Sequence, residues 1–112
     1  MSAAEGEAGI ASVYATFADE AEALRIGRQV VEERLAACVN ILGPCRSIYR
    51  WQGAVESADE VAAIFKTSRG GAPRLVERIA ALHSYEVPAI AVWDAAGSLP
   101  AYARWVSESV ED

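Results

Sequence analysis

The chain has little of what several common functions require. Its 112 residues include one histidine, His83, one lysine, Lys66, and two cysteines, Cys38 and Cys45. A metal site rich in imidazole therefore cannot be assembled within one subunit. No serine or cysteine has a second histidine to activate it, which nearly excludes a nucleophilic triad unless His83 serves one across an interface. Basic charge is scarce too: 10 Lys and Arg stand against 16 Asp and Glu, for a net charge of −6. A phosphate-backbone binder carries the opposite, a basic stripe. No apolar run approaches the ~20 residues that cross a bilayer, and residues 1–7 are acidic, unlike the basic start of a signal peptide. These absences predict a cytoplasmic protein with neither nucleic acid nor membrane as partner. The spacing of Cys38 and Cys45 is not that of a paired zinc-ligand motif, and in such a compartment reduced thiols are expected.

What the chain does have is apolar surface. Hydrophobic residues make up 53% and charged residues 23%, more apolar material than a single small core needs, which points to self-association. Residues 1–9 carry Glu5 and Glu7 and are expected to form a flexible tail, leaving residues 10–112 as one domain.

Along that domain the pattern alternates between strand and helix. Residues 10–17 are β-prone, and Asp19 with Glu22 three positions on marks a helix start. Leu24, Gly27, Val31 and Leu35 then recur at helical spacing for about four turns. From Cys38 to Trp51 the residues predict one long strand bent at Gly43-Pro44, with a turn at Gln52-Gly53. A return strand follows over 55–66, interrupted at Ser57-Ala58-Asp59, with Val61, Ala63 and Phe65 on one face. Pro73 suits the first turn of a second helix, striped by Leu75, Val76, Ile79, Ala80 and Leu82 and stopping at His83-Ser84. Residues 87–93 are nearly continuously apolar, as in a strand buried on both faces. A short third helix begins at Pro100 and aligns Tyr102, Trp105, Val106 and Val110.

The order predicts an α+β, ferredoxin-like βαββαβ fold with a C-terminal helix, right-handed crossovers and both crossover helices on one side of the sheet. The other face is left for the third helix or for further subunits, and the hairpin edges invite strand pairing, so trimerisation is expected.

Few residues suit chemistry. His83 and Glu86 offer a nitrogen and a carboxylate to a metal, and Cys38 a thiolate if the fold brings them together, a set suited to copper or zinc. The plainer readings are a histidine at a helix C-terminus and a buried, inert thiol. Lys66 is a compact charge at the end of an apolar strand: either a structural ion pair with Glu60 or Glu86, or an anion contact. In residues 66–71 the glycines follow the lysine, the wrong order for a phosphate loop. Trp51, Trp93 and Trp105 either line an intersubunit cleft or fill the core.

Three segments carry a resemblance to a known family: Glu33-Arg34-Leu35-Ala36-Ala37-Cys38-Val39-Asn40-Ile41, Ser47-Ile48-Tyr49-Arg50-Trp51-Gln52-Gly53 and His83-Ser84-Tyr85-Glu86-Val87-Pro88-Ala89-Ile90. With Lys66-Thr67 and Tyr102-Ala103-Arg104-Trp105-Val106, the chain from about residue 11 to 110 resembles the CutA divalent-cation tolerance proteins. Ser84 stands where that family usually has proline, which is expected to loosen the end of the second helix. The resemblance implies a homotrimer similar to PII signalling proteins, a role in tolerance to copper and other divalent cations, and no enzymatic activity or organic cofactor. The expectation is a cytoplasmic trimer with Cys38, His83 and Glu86 as metal ligands and Trp51, Lys66 and Tyr85 shaping a ligand pocket. The alternative is a PII-like sensor that binds a small anion or nucleotide at intersubunit clefts and relays it to a protein partner. An enzymatic alternative, with Glu86 and His83 as acid and base, names no substrate.

Overall fold

The computed structural model describes residues 9–111, so the tail assigned to residues 1–9 lies, Gly9 apart, outside the described residues. Strand β1 (Ile10–Phe17) alternates as its sequence does. Ala11, Val13, Ala15 and Phe17 are fully buried on one face, while Ser12, Tyr14 and Thr16 point to the other. Helix α1 (Glu20–Glu32) starts where Asp19 Oδ1 accepts the Glu22 N–H at 2.8 Å. Its buried stripe is Ala23, Ile26 and Val30, with Gly27 also inside, so the expected stripe is one position out of phase at its start: Leu24 is 53% exposed. Gly27 explains the rotation, because a Cβ there would lie 2.9 Å from Val39 Cγ1. The helix sits down on that methyl group. Arg34, at φ 63°, then turns the chain back toward the sheet.

Strands β2 (Cys38–Trp51) and β3 (Ala54–Ser68) form a long antiparallel hairpin. Gln52 and Gly53 close it with consecutive positive φ values of 48° and 84°, the pattern of a type I′ turn, which matches strand twist. The bend in β2 is a bulge: Ile41 pairs with Ala63 but Gly43 with Ala62, leaving Leu42 as the extra residue. β3 runs unbroken through Ser57-Ala58-Asp59, contrary to expectation, because each of these residues has a register partner on β2. The hairpin strands reach about 46 Å at ~3.3 Å per residue, which accounts for the elongated 48 × 25 × 23 Å shape.

Helix α2 (Ala72–Leu82) carries Pro73 in its first turn and buries Ala72, Leu75 and Ile79; Ala80 of the expected stripe is exposed. Strand β4 (Ile90–Asp94) is shorter than predicted and is not buried on both faces. The sheet order β2-β3-β1-β4 makes it an edge strand, with Val92 and Trp93 42% and 52% exposed. Residues 87–89, read as its start, are a loop instead.

The strand and helix order is the split βαβ arrangement of the ferredoxin-like fold. Helices α1 and α2 cover the face carrying Val13, Phe17, Ala63 and Phe65, and there the main core sits. Helix α3 (Pro100–Ser109) lies on the opposite face at one end, where Val106 and the following Val110 pack with Ile10 and Ala37. Trp105 stays 45% exposed, stacked on Tyr102 at 5.8 Å. The rest of that face is uncovered, and it forms the candidate site.

Candidate functional site

The uncovered end of the sheet and the loop after α2 enclose a cleft of about 680 Å³. β1 supplies Tyr14 and Thr16, β2 supplies Ser47, Tyr49 and Trp51, and β3 supplies Glu56 and Glu60. Strand alternation puts these on one face, since Tyr49 pairs with Glu56 and Cys45 with Glu60. The opposite wall is Tyr85 to Ala89.

That wall is fixed from behind by His83. Its ring is buried and stacks on Phe17 at 5.0 Å with an interplanar angle of 15°. Nε2 lies 2.8 Å from the Thr16 carbonyl and Nδ1 3.0 Å from the Tyr85 backbone N–H. A carbonyl only accepts and a backbone N–H only donates, so Nε2 carries the proton and Nδ1 accepts, which defines a neutral ring. Glu22 Oε2 approaches Nδ1 to 3.9 Å, but a ring nitrogen already accepting a hydrogen bond cannot also donate to it, so this contact is no ion pair.

Glu22 has its own donors: Oε1 accepts the Ala18 N–H at 3.1 Å and Oε2 the Ser84 N–H at 2.8 Å. Burial pushes its carboxyl up, but the hydrogen bonds from Ser84 and Ala18 outweigh burial and hold it below the usual carboxylate value. Ser84 thus ties the end of α2 to the start of α1 through an N–H that proline lacks. The expected loosening at this position is met by an added hydrogen bond.

Tyr85 turns its hydroxyl to Glu60 and donates to Oε2 at 2.9 Å. Burial first, then Glu60, raises the phenol well above its ordinary range, so Tyr85 remains a neutral donor. Glu60 itself is 8% exposed. Among the described residues no cation pairs with it, and no Lys, Arg or His lines the cleft.

The candidate residues divide. Trp51, Tyr85 and Glu86 meet at the cleft. Lys66 does not; its Nζ donates to Asn40 Oδ1 at 3.3 Å rather than to Glu60 or Glu86. Cys38 pairs in register with Lys66, and its Sγ lies 3.6 Å from the Tyr102 hydroxyl under α3. Lys66 is level with Ser12 on β1, whereas His83 reaches Thr16, four residues or about 13 Å further along the strand. One chain therefore does not bring Cys38, His83 and Glu86 together, and both nitrogens of His83 are occupied. Among the described residues, no three His, Cys, Asp or Glu side chains are grouped to hold a metal ion. Cys45 is a free thiol beside Ser47. Glu56 and Tyr14 were not singled out in the sequence, Tyr49 stood only within the family-like segment, and Glu60 entered only as a partner for Lys66. Their one signal was strand alternation.

A four-stranded antiparallel sheet with two helices on one face and a third on the other, beside an acidic, aromatic cleft, defines a small α+β domain of ferredoxin-like type. The family model of the CutA1 divalent ion tolerance proteins matches residues 11–109, and the chain belongs to that family. It is 44% identical over 98 residues to the divalent-cation tolerance protein CutA of Thermotoga maritima, covering 88% of this chain and 96% of that one. The solved structure of the divalent cation tolerance protein of Thermus thermophilus superposes with a TM-score of 0.87 at 41% identity, over 91% of this chain and 99% of the other. The CutA of Archaeoglobus fulgidus, described as periplasmic, gives a TM-score of 0.87 at 35% identity, with coverage of 91% and 99%.

Proposed function

We propose that the chain is a cation-binding protein of divalent-metal tolerance that acts as a cytoplasmic homotrimer and not as an enzyme. The observation that carries this reading is the cleft: three carboxylates, one of them nearly buried, with no cationic side chain on its walls. Such a surface attracts cations and repels anions. Carboxylate oxygens favour hard divalent ions that keep part of their water; Glu56, Glu60 and Glu86 do not converge on one point, so each is a candidate to contact such an ion singly, with water completing its shell. For copper the softer donor is Cys38, and because the described residues group no second and third ligand with it, a copper site there draws on a neighbouring copy. Exposed Ile48, Val55, Val92 and Trp93, on the hairpin and the β4 edge, favour the trimer. The free thiols of Cys38 and Cys45 favour a reducing compartment, and a single histidine with both nitrogens occupied favours binding over catalysis.

The anion or nucleotide reading draws less support, since Lys66 stands off the cleft. Calorimetric titration with manganese, zinc and copper tests the proposal. The expected result is saturable binding of the hard ions that weakens in Glu60→Gln and Glu86→Gln, with copper weakened in Cys38→Ala. Full affinity in all three variants would contradict it.

A further inference from the structure

We propose that the cleft also binds a small organic cation, an ammonium or guanidinium group on an apolar stem. The inference rests on features that a metal ion leaves unused. A volume of about 680 Å³ falls in the range of small-molecule sites rather than of single ions. Its walls carry four aromatic rings, Tyr14, Tyr49, Trp51 and Tyr85, beside the apolar Val87 and Pro88. A hydrated divalent ion gains little from such walls, because it holds its water tightly. An organic cation gains from both, through the ring faces and through burial of its stem.

Glu60 supplies the specific contact. Its carboxylate is 8% exposed and accepts one hydrogen bond, from the Tyr85 hydroxyl to Oε2. A second oxygen and a full negative charge are left for an N–H donor, and a charge in so dry a place gains more from a partner than a surface charge does. Tyr85 stays neutral and brings no charge of its own to the pair. Glu56 and Glu86 add negative field at the mouth. The occupant is a free small molecule; an arginine of a second copy offers the same chemistry and is separated by the test.

The test uses the full chain and agmatine as probe, titrated by calorimetry beside N-butylurea, a butyl-stem analogue that carries neither of agmatine's two charges. Agmatine is expected to bind saturably and the urea about tenfold more weakly or worse. Glu60→Gln retains an acceptor for Tyr85 but not the charge, and should weaken agmatine about tenfold with the thermal unfolding midpoint nearly unchanged. Trp51→Leu should weaken it several-fold. Absent binding, equal binding of the urea, or unaltered affinity in Glu60→Gln overturns the proposal. Agmatine binding that emerges only in Arg50→Ala or Arg46→Ala assigns the cleft to a neighbour's arginine and overturns it as well. Metal uptake without agmatine uptake sinks this inference alone, whereas agmatine uptake without metal uptake supports it and sinks the metal reading.

Discussion

The Tyr85 hydroxyl donates to Glu60 Oε2 at 2.9 Å, joining the loop after α2 to the middle of the longest strand. Tyr85→Phe removes the donor and leaves a nearly buried carboxylate without a hydrogen bond. A loss of about 1–3 kcal/mol is expected, because an unsatisfied buried group costs its desolvation. Urea unfolding measures it, and a loss below a few tenths would mean that water replaces the hydroxyl.

His83 holds that loop through two hydrogen bonds and the Phe17 stack. His83→Ala opens a cavity and strands the Thr16 carbonyl, so roughly 2–4 kcal/mol should be lost. Thermal unfolding reads this directly. Manganese affinity of the folded fraction should change far less than in Glu60→Gln, because the imidazole offers no free nitrogen.

Glu22 makes stability acid-sensitive. Its folded carboxyl titrates below its ordinary value of 4.5, so the unfolded chain binds the proton more tightly. The stabilisation is therefore complete above about pH 5, and it is lost as pH falls through the folded value. Ser84→Pro deletes both the backbone N–H and the hydroxyl that hold this carboxyl down and should shift the acid unfolding midpoint upward. An unchanged acid limb in that variant would show that Ser84 does not hold Glu22.

Gly27 lies against Val39, and a methyl group there would approach Cγ1 to 2.9 Å. Ala favours a helix interior over Gly by about 1 kcal/mol, but forcing the helix off the sheet costs ~1–3 kcal/mol. The expected result for Gly27→Ala is a net loss of stability by denaturant titration, small enough for the chain to remain folded.

Local signals made much of the fold legible. Asp19 announced α1, Gln52-Gly53 the hairpin turn and Pro100 the last helix, because each is a backbone requirement met by residues close in sequence. β4 was misjudged because its exposure depends on strand order, which places it at an edge regardless of its own composition. The stripe of α1 was misplaced because the approach of Gly27 to Val39 is a tertiary contact. At the site, Trp51, Tyr85 and Glu86 were recognised and do meet. Lys66 and Cys38 share their sheet face but sit at its other end, a separation set by the register of β2, β3 and β1. Nothing local in the sequence marks Glu60 as buried or His83 as occupied at both nitrogens.

The measurement closest to the central claim is native mass spectrometry of the full chain with limiting manganese and, separately, copper, beside the double variant Glu60→Gln/Glu86→Gln. The account predicts a trimer that takes up manganese in the native chain and loses that uptake in the variant while remaining trimeric. A trimer whose double variant retains manganese in full, or a native chain that binds neither metal, would contradict it.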